Sequence, residues 1–129
     1  MIKRVLFLSI LLAGCASTEP VVSPATLSAQ MEKGDAPLVI DVRSESEYMK
    51  GHIPGAVHIP FLDVSSAPSQ VIEACKHQMV VVTCEHGPRA AYAAPKLRRL
   101  GCPDVRLLEG HMHRWRNQGY VMTAPGMKD

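Results

Sequence analysis

The segment Val80-Val81-Val82-Thr83-Cys84-Glu85-His86-Gly87-Pro88-Arg89 carries the strongest structural signal in this chain. It begins with an unbroken apolar run, which is typical of a strand buried on both faces. A cysteine follows at once, and Pro88 suits the first turn of a helix. The segment therefore predicts a buried strand, a short loop and a helix, with Cys84 at the carboxyl end of the strand.

The same alternation of strand and helix patterns continues in the sequence before and after this segment. Apolar runs at Leu38–Val42 and Val105–Leu108 predict two further strands. Helical patterns cover residues 23–34, 45–50, 69–77 and 90–100. This order is typical of an α/β domain with a central parallel sheet flanked by helices. Functional groups collect at the carboxyl ends of such strands, which places Asp41, Cys84 and the residues after Leu108 at one edge.

Length and composition exclude several classes of protein. The chain has 129 residues, of which 47% are hydrophobic and 20% charged, so it holds one small domain and is neither disordered nor a polytopic membrane protein. Its net charge is +2, and Lys3 and Arg4 account for that excess. We therefore expect no nucleic-acid partner.

The amino-terminal residues have the pattern of a targeting segment. Lys3 and Arg4 precede an apolar run that is too short to span a bilayer. The sequence Leu12-Ala13-Gly14-Cys15 resembles the lipobox of bacterial lipoproteins, which are cleaved before a lipidated cysteine. We expect a signal peptide over residues 1–14, a lipidated Cys15 with a tether over residues 15–24, and a folded domain over residues 25–125.

A lipidated Cys15 implies a membrane partner and a location. The lipid would hold the protein on a membrane in the bacterial periplasm. Ala16 follows the cysteine, which favours the inner leaflet of the outer membrane. The periplasm is oxidising and permits disulfides.

The position of Cys84 favours a nucleophilic role. A thiol between a strand and a helix start faces loop amides and the positive end of the helix dipole, and both favour the thiolate. Gly87 lets the backbone curl around the sulfur, which gives a cradle of N–H donors that stabilises an anion without a metal. The alternative is an inert buried cysteine, which the Gly-Pro-Arg sequence after it fits poorly.

Three ordered motifs resemble those of the rhodanese family. They are Asp41-Val42-Arg43-Ser44 with Gly51-His52-Ile53-Pro54-Gly55-Ala56, the loop from Cys84 to Arg89, and Leu108-Glu109-Gly110 with Trp115 and Gly119-Tyr120-Val121. Together they cover about residues 26–121. The chain is similar to a single-domain rhodanese, and the resemblance implies a three-layer α/β fold around a parallel sheet.

The resemblance also implies sulfur transfer through a persulfide. Cys84 would take the sulfane sulfur of a small donor, thiosulfate or a persulfide, and pass it to cyanide, a thiol or a protein cysteine. The cradle and substrate-binding residues would be Glu85, His86, Gly87, Pro88 and Arg89. No cofactor is expected. The alternative is a non-catalytic rhodanese-fold binding or thiol-redox module, in which Cys84 forms mixed disulfides with partner proteins.

Charged residues near the loop have open roles in the sequence. Asp41 is expected to support the site, either by accepting from loop amides or by fixing Arg43. Arg89 either binds an anionic donor or lies on the surface at the helix start. Glu85 is expected to weaken thiosulfate binding, so the donor could be a less anionic persulfide or a protein.

Histidines near the loop raise the question of a metal. Cys84, His86, His111 and His113 could cluster and suit copper or zinc. We expect no metal site, because persulfide chemistry already accounts for the loop.

A structural disulfide is our hypothesis for the remaining cysteines. Cys75 and Cys102 each precede a strand, and those two strands are neighbours in the rhodanese sheet. Both cysteines would then lie at the end of the sheet opposite Cys84, and a bond between them requires Cα atoms within about 7 Å.

Overall fold

The computed structural model describes residues 18–127. The expected signal peptide and Cys15 lie outside these residues. The strands are β1 (Val21–Val22), β2 (Leu38–Asp41), β3 (Val57–His58), β4 (Val80–Thr83) and β5 (Val105–Leu108). The helices are α1 (Pro24–Glu32), α2 (Glu45–Lys50), α3 (Ser69–Cys75), α4 (Pro88–Arg99) and α5 (His111–Asn117), with a 3₁₀ helix at Phe61–Ser66.

The five strands form one parallel sheet in the order β1-β5-β4-β2-β3. All four residues of the central strand β4 are buried, as its continuous apolar run predicts. The predicted α/β fold with a central parallel sheet flanked by helices is therefore confirmed.

Apolar residues pack on both faces of the sheet. Val80 and Val82 belong to one cluster, which includes Leu97 of α4, while Val81 belongs to a second cluster with Trp115 of α5. Successive residues of a strand point to opposite faces, so β4 contributes to both clusters. The sheet is thereby fixed between two layers of helices.

The first strand lies in the segment that was expected to be a tether. Val21 pairs with Leu107 and Val22 with Leu108, and Val22 is buried. The amide of Leu107 also donates to the carbonyl of Pro20 at 2.9 Å. The expected tether over residues 15–24 is therefore too long, since pairing with β5 draws Val21 and Val22 into the sheet.

Side-chain caps begin two of the helices. Ser23 accepts from the amide of Thr26 at 3.1 Å at the start of α1. Ser44 and Glu47 form a reciprocal capping box at the start of α2. No helix within residues 18–127 is long and apolar enough to cross a membrane.

Cys75 and Cys102 form a disulfide, with Cα atoms 5.1 Å apart. Cys75 ends α3, and Cys102 lies between α4 and β5. Both are buried in the same apolar cluster. The bond links two connections at the edge of the sheet opposite Cys84.

Candidate active site

The loop of residues 84–89 joins β4 to α4 at the carboxyl edge of the sheet. Cys84 is fully buried at the base of this loop. Gly87 has a φ of +126°, which side chains rarely adopt, and the loop curls back over the sulfur there. The amides of Gly87 and Ala90 donate to Sγ of Cys84 at 3.0 and 3.4 Å. These two dipoles favour negative charge on the sulfur.

The amides that donate to the Cys84 sulfur match the predicted set of cradle residues only in part. Gly87 belongs to the predicted set, while Ala90, the second donor, does not. Ala90 lies in the first turn of α4, where amides lack a partner within the helix. Ala90 could therefore have been predicted as a donor from its place in the first turn of the helix.

Helix α5 holds the other side of the loop. The amide of Met112 donates to the carbonyl of Cys84 at 2.9 Å, and the amide of His113 donates to that of Glu85 at 3.1 Å. The amide of Cys84 donates to Nδ1 of His111 at 3.4 Å. The backbone of the candidate nucleophile is therefore fixed from the segment that follows β5.

His111 packs beneath the loop in a strained conformation. It has a φ of +52°, unusual for a residue with a side chain, and it is buried. Burial lowers the pKa of His111, and the neighbouring His86 lowers it further. A neutral ring that accepts at Nδ1 carries its proton on Nε2. Nε2 lies 3.2 Å from the position that a Cβ on Gly87 would take, so the imidazole leaves little room for a side chain there.

Asp41 and Arg43 form a buried ion pair at the end of β2. Nη2 of Arg43 donates to Asp41 at 2.7 Å, and Nε donates to both carboxylate oxygens at 3.0 Å. Nη2 also donates to the carbonyl of Gly51 at 2.8 Å. The sequence left two roles open for Asp41, and in the structure its carboxylate fixes Arg43.

Glu85 links this pair to α5. Its carboxylate lies 3.6 Å from Nη1 of Arg43 and accepts from Arg116 at 2.7 and 3.1 Å. The Arg116 guanidinium lowers the pKa of Glu85, and Arg43 lowers it further. Glu85 therefore connects the loop both to Arg43 and to helix α5.

Arg89 is paired with Glu47 of α2. Its two terminal nitrogens donate to the carboxylate of Glu47 at 2.7 and 2.9 Å. This pairing raises the pKa of Arg89 and, with help from Ser44, holds the pKa of Glu47 well below its usual range. The sequence left open whether Arg89 binds an anionic donor or lies on the surface at the helix start; in the structure its guanidinium is paired with the Glu47 carboxylate.

One cluster near the loop has the side chains of a metal site. Glu85, His86 and His113 each place a ligand atom within 4.8 Å of the others. Cys84 and His111 are not part of this group; Nδ1 of His111 instead accepts from the Cys84 amide. A metal bound by all three side chains would share the Glu85 carboxylate with Arg116, which donates to both of its oxygens.

Two open cavities flank the loop. One, of about 260 Å³, is lined mainly by charged side chains, among them Lys50, Glu85 and Arg116. The other, of about 240 Å³, lies between Arg89 and an apolar wall, which we define as Pro60, Phe61 and Leu62. Arg43 lines both cavities.

Known proteins resemble this chain over most of its length. The family described as rhodanese-like domain matches residues 23–118. A protein named thiosulfate sulfurtransferase GlpE from Pseudomonas putida is 30% identical over 103 residues, covering 80% of this chain and 91% of its own. A protein named sulfurtransferase from Allochromatium vinosum is 29% identical over 100 residues, covering 78% and 91%.

Other relatives are longer than this chain. The chain spans 52% of the Bacillus subtilis protein YrkF and 58% of a Synechocystis relative. Among solved structures, the rhodanese-like domain of the Anabaena protein Alr3790 has a TM-score of 0.72 at 27% identity, covering 87% of this chain and 89% of that domain. The match in sequence and in structure shows that this chain belongs to the rhodanese-like domain family.

Proposed function

We propose that the protein is a sulfurtransferase in which Cys84 carries sulfane sulfur as a persulfide. The observation that carries this proposal is the position of Sγ, which accepts from the amides of Gly87 and Ala90 at the base of the loop. Relatives named as sulfurtransferases support it. The loop amides supply a site for an anionic sulfur that needs no metal.

The reaction consists of two displacements. In the first, the Cys84 thiolate attacks the outer sulfur of the donor, the S–S bond of the donor breaks, and the leaving group departs with the electron pair. With thiosulfate the leaving group is sulfite. In the second, an acceptor such as cyanide or a thiolate attacks the outer sulfur of the persulfide, and the Cys84 thiolate is released.

The surrounding residues position the loop for both steps. Met112 and His111 fix the backbone of Cys84 from one side, and Glu85 is held by Arg116. A fixed loop keeps the amide donors aimed at the sulfur before the reaction starts, so little reorganisation is needed. These are positioning residues.

The proposal is tested by loading the purified protein with sulfur. Thiosulfate and, separately, glutathione persulfide are added to the wild type and to Cys84→Ser, and intact mass is recorded. We expect one added sulfur atom on the wild type alone, removed by cyanide with release of thiocyanate. The double variant Cys75→Ser/Cys102→Ser is the matched control and should still load. Failure of both donors on folded wild type would instead support the binding or thiol-redox module.

We also propose that the protein is a lipoprotein anchored through Cys15. The lipobox-like sequence before Cys15 supports this, and a disulfide such as Cys75–Cys102 suits an oxidising compartment. In bacterial cells, labelled palmitate should enter the wild type but not Cys15→Ser, and the label should fractionate with the outer membrane. A wild type that takes up no label, or is recovered unattached, contradicts the anchor.

A further inference from the structure

Three metal-ligating side chains lie together at the surface of the loop, apart from the amides that contact the Cys84 sulfur. Glu85 and His86 belong to the loop, and His113 belongs to the first turn of α5. Each offers one ligand atom, and the three atoms lie within 4.8 Å of one another. Two imidazoles and one carboxylate are a donor set that Zn²⁺ accepts in proteins, with a fourth position left open. The group therefore has the chemistry of an open zinc site.

The backbone fixes the two segments that carry these ligands. The amide of His113 donates to the carbonyl of Glu85 at 3.1 Å, and the amide of Met112 donates to that of Cys84 at 2.9 Å. The rings of His86 and His113 lie next to each other, with centroids 4.9 Å apart. The segments from which the ligands project are therefore held together before an ion binds.

Rotation of exposed side chains is enough to close the site. Ligand atoms that surround a tetrahedral Zn²⁺ at about 2.1 Å are separated from one another by about 3.4 Å. The three atoms here, within 4.8 Å, must therefore move closer by a small amount. His86 and His113 are exposed, so their rings can turn without a change in the core.

Contacts from neighbouring side chains orient two of the ligands. Arg116 donates to both oxygens of Glu85, and each carboxylate oxygen keeps a further lone pair. The Arg116 guanidinium also lowers the pKa of Glu85, so the carboxylate is ionised at neutral pH. The side-chain amide of Asn117 lies 3.1 Å from Nε2 of His113. Hydrogen bonds of this kind hold metal ligands in place, although the charge of Arg116 makes the site weaker than a closed zinc site with four protein ligands.

From this arrangement we propose that Glu85, His86 and His113 bind a divalent transition-metal ion, Zn²⁺, with water in the fourth position. The inference does not depend on the persulfide function. From the sequence we expected the histidines to group with Cys84 and expected no metal, whereas in the structure the third side chain is Glu85. Because the ligands come from the loop and from α5, the ion would link these two segments.

Isothermal titration calorimetry of Zn²⁺ into the purified, untagged chain tests the site. The background is Cys15→Ser/Cys84→Ser, in which the only cysteines left are those of the disulfide, so that no thiol competes for the ion. We expect one Zn²⁺ per chain. Adding His86→Ala/His113→Ala should weaken binding by about tenfold or more. Both histidines are exposed, so this variant should fold, which circular dichroism checks.

Glu73 and His77 provide the matched control. They are an exposed pair of the same residue types at the end of α3, with Nε2 of His77 3.5 Å from the carboxylate. Within residues 18–127 they belong to no group of three such side chains. Glu73→Gln/His77→Ala in the same background should leave the affinity for Zn²⁺ unchanged.

The imidazole resonances in nuclear magnetic resonance spectra identify the ligands independently. Zn²⁺ should shift the ring nitrogen signals of His86 and His113 and leave those of His77 in place. The proposal is overturned if no saturable binding occurs, or if folded His86→Ala/His113→Ala protein binds Zn²⁺ as tightly as the background. It is equally overturned if the affinity is lost in the Glu73→Gln/His77→Ala control, or if the ring signals of His86 and His113 do not move.

Discussion

Replacing Arg43 with methionine should destabilise the fold strongly. The substitution keeps a long side chain but leaves the carboxylate of Asp41, which is fully buried, without its guanidinium. It also removes the donor to the Gly51 carbonyl. Breaking a buried ion pair from one side costs about 3–5 kcal/mol, whereas a domain of this size has a free energy of unfolding of roughly 5–15 kcal/mol.

Urea unfolding followed by circular dichroism measures this loss. With a denaturant slope of about 1–3 kcal/mol per molar, the midpoint should fall by about 2 M. The control is Asp41→Asn/Arg43→Met, which removes both charges and should recover part of the loss. A midpoint shift equivalent to less than about 1 kcal/mol, or a double variant no more stable than Arg43→Met, would refute the reasoning.

Three further predictions concern the loop and the disulfide. His111→Asn should lessen the fall in unfolding free energy between pH 7.5 and 5.5 by at most about 1 kcal/mol, because the unfolded chain takes up protons more readily than the buried imidazole with its lowered pKa; equal falls in urea titrations would contradict this. Gly87→Ala, at a φ of +126° and against His111, should slow sulfur loading of Cys84 about tenfold, and loading at the wild-type rate would remove the argument. Cys75→Ser/Cys102→Ser should lose about 3–4 kcal/mol, given a separation of 27 residues, and an unchanged urea midpoint would count against a structural role.

The elements that the sequence predicts are those with long, regular patterns. The central strands β2, β4 and β5 follow from continuous apolar runs, and helices α1 to α4 follow from helical patterns in the sequence. Strands β1 and β3 have two residues each, too few to show any period, and only pairing with a neighbour defines them. Helix α5 has His111 at positive φ at its start, which no helical pattern indicates.

In the candidate site, too, the contacts between residues that are close in sequence could be predicted, and those between distant residues could not. Cys84 and Gly87 are close in sequence, so the loop that brings their sulfur and amide together is visible in the chain itself. The pairs Glu47–Arg89 and Glu85–Arg116 join residues 42 and 31 positions apart, and only the packed sheet brings them together. The packing of His111 beneath the loop likewise depends on the fold.

The central claim is that Cys84 carries sulfur as a persulfide. It is tested most directly by intact mass spectrometry of the purified protein after reaction with glutathione persulfide, beside Cys84→Ser treated in the same way. The account predicts one added sulfur atom on the wild type, none on Cys84→Ser, and complete removal by cyanide. Folded wild type that gains no sulfur, or a Cys84→Ser variant that gains as much, would contradict it.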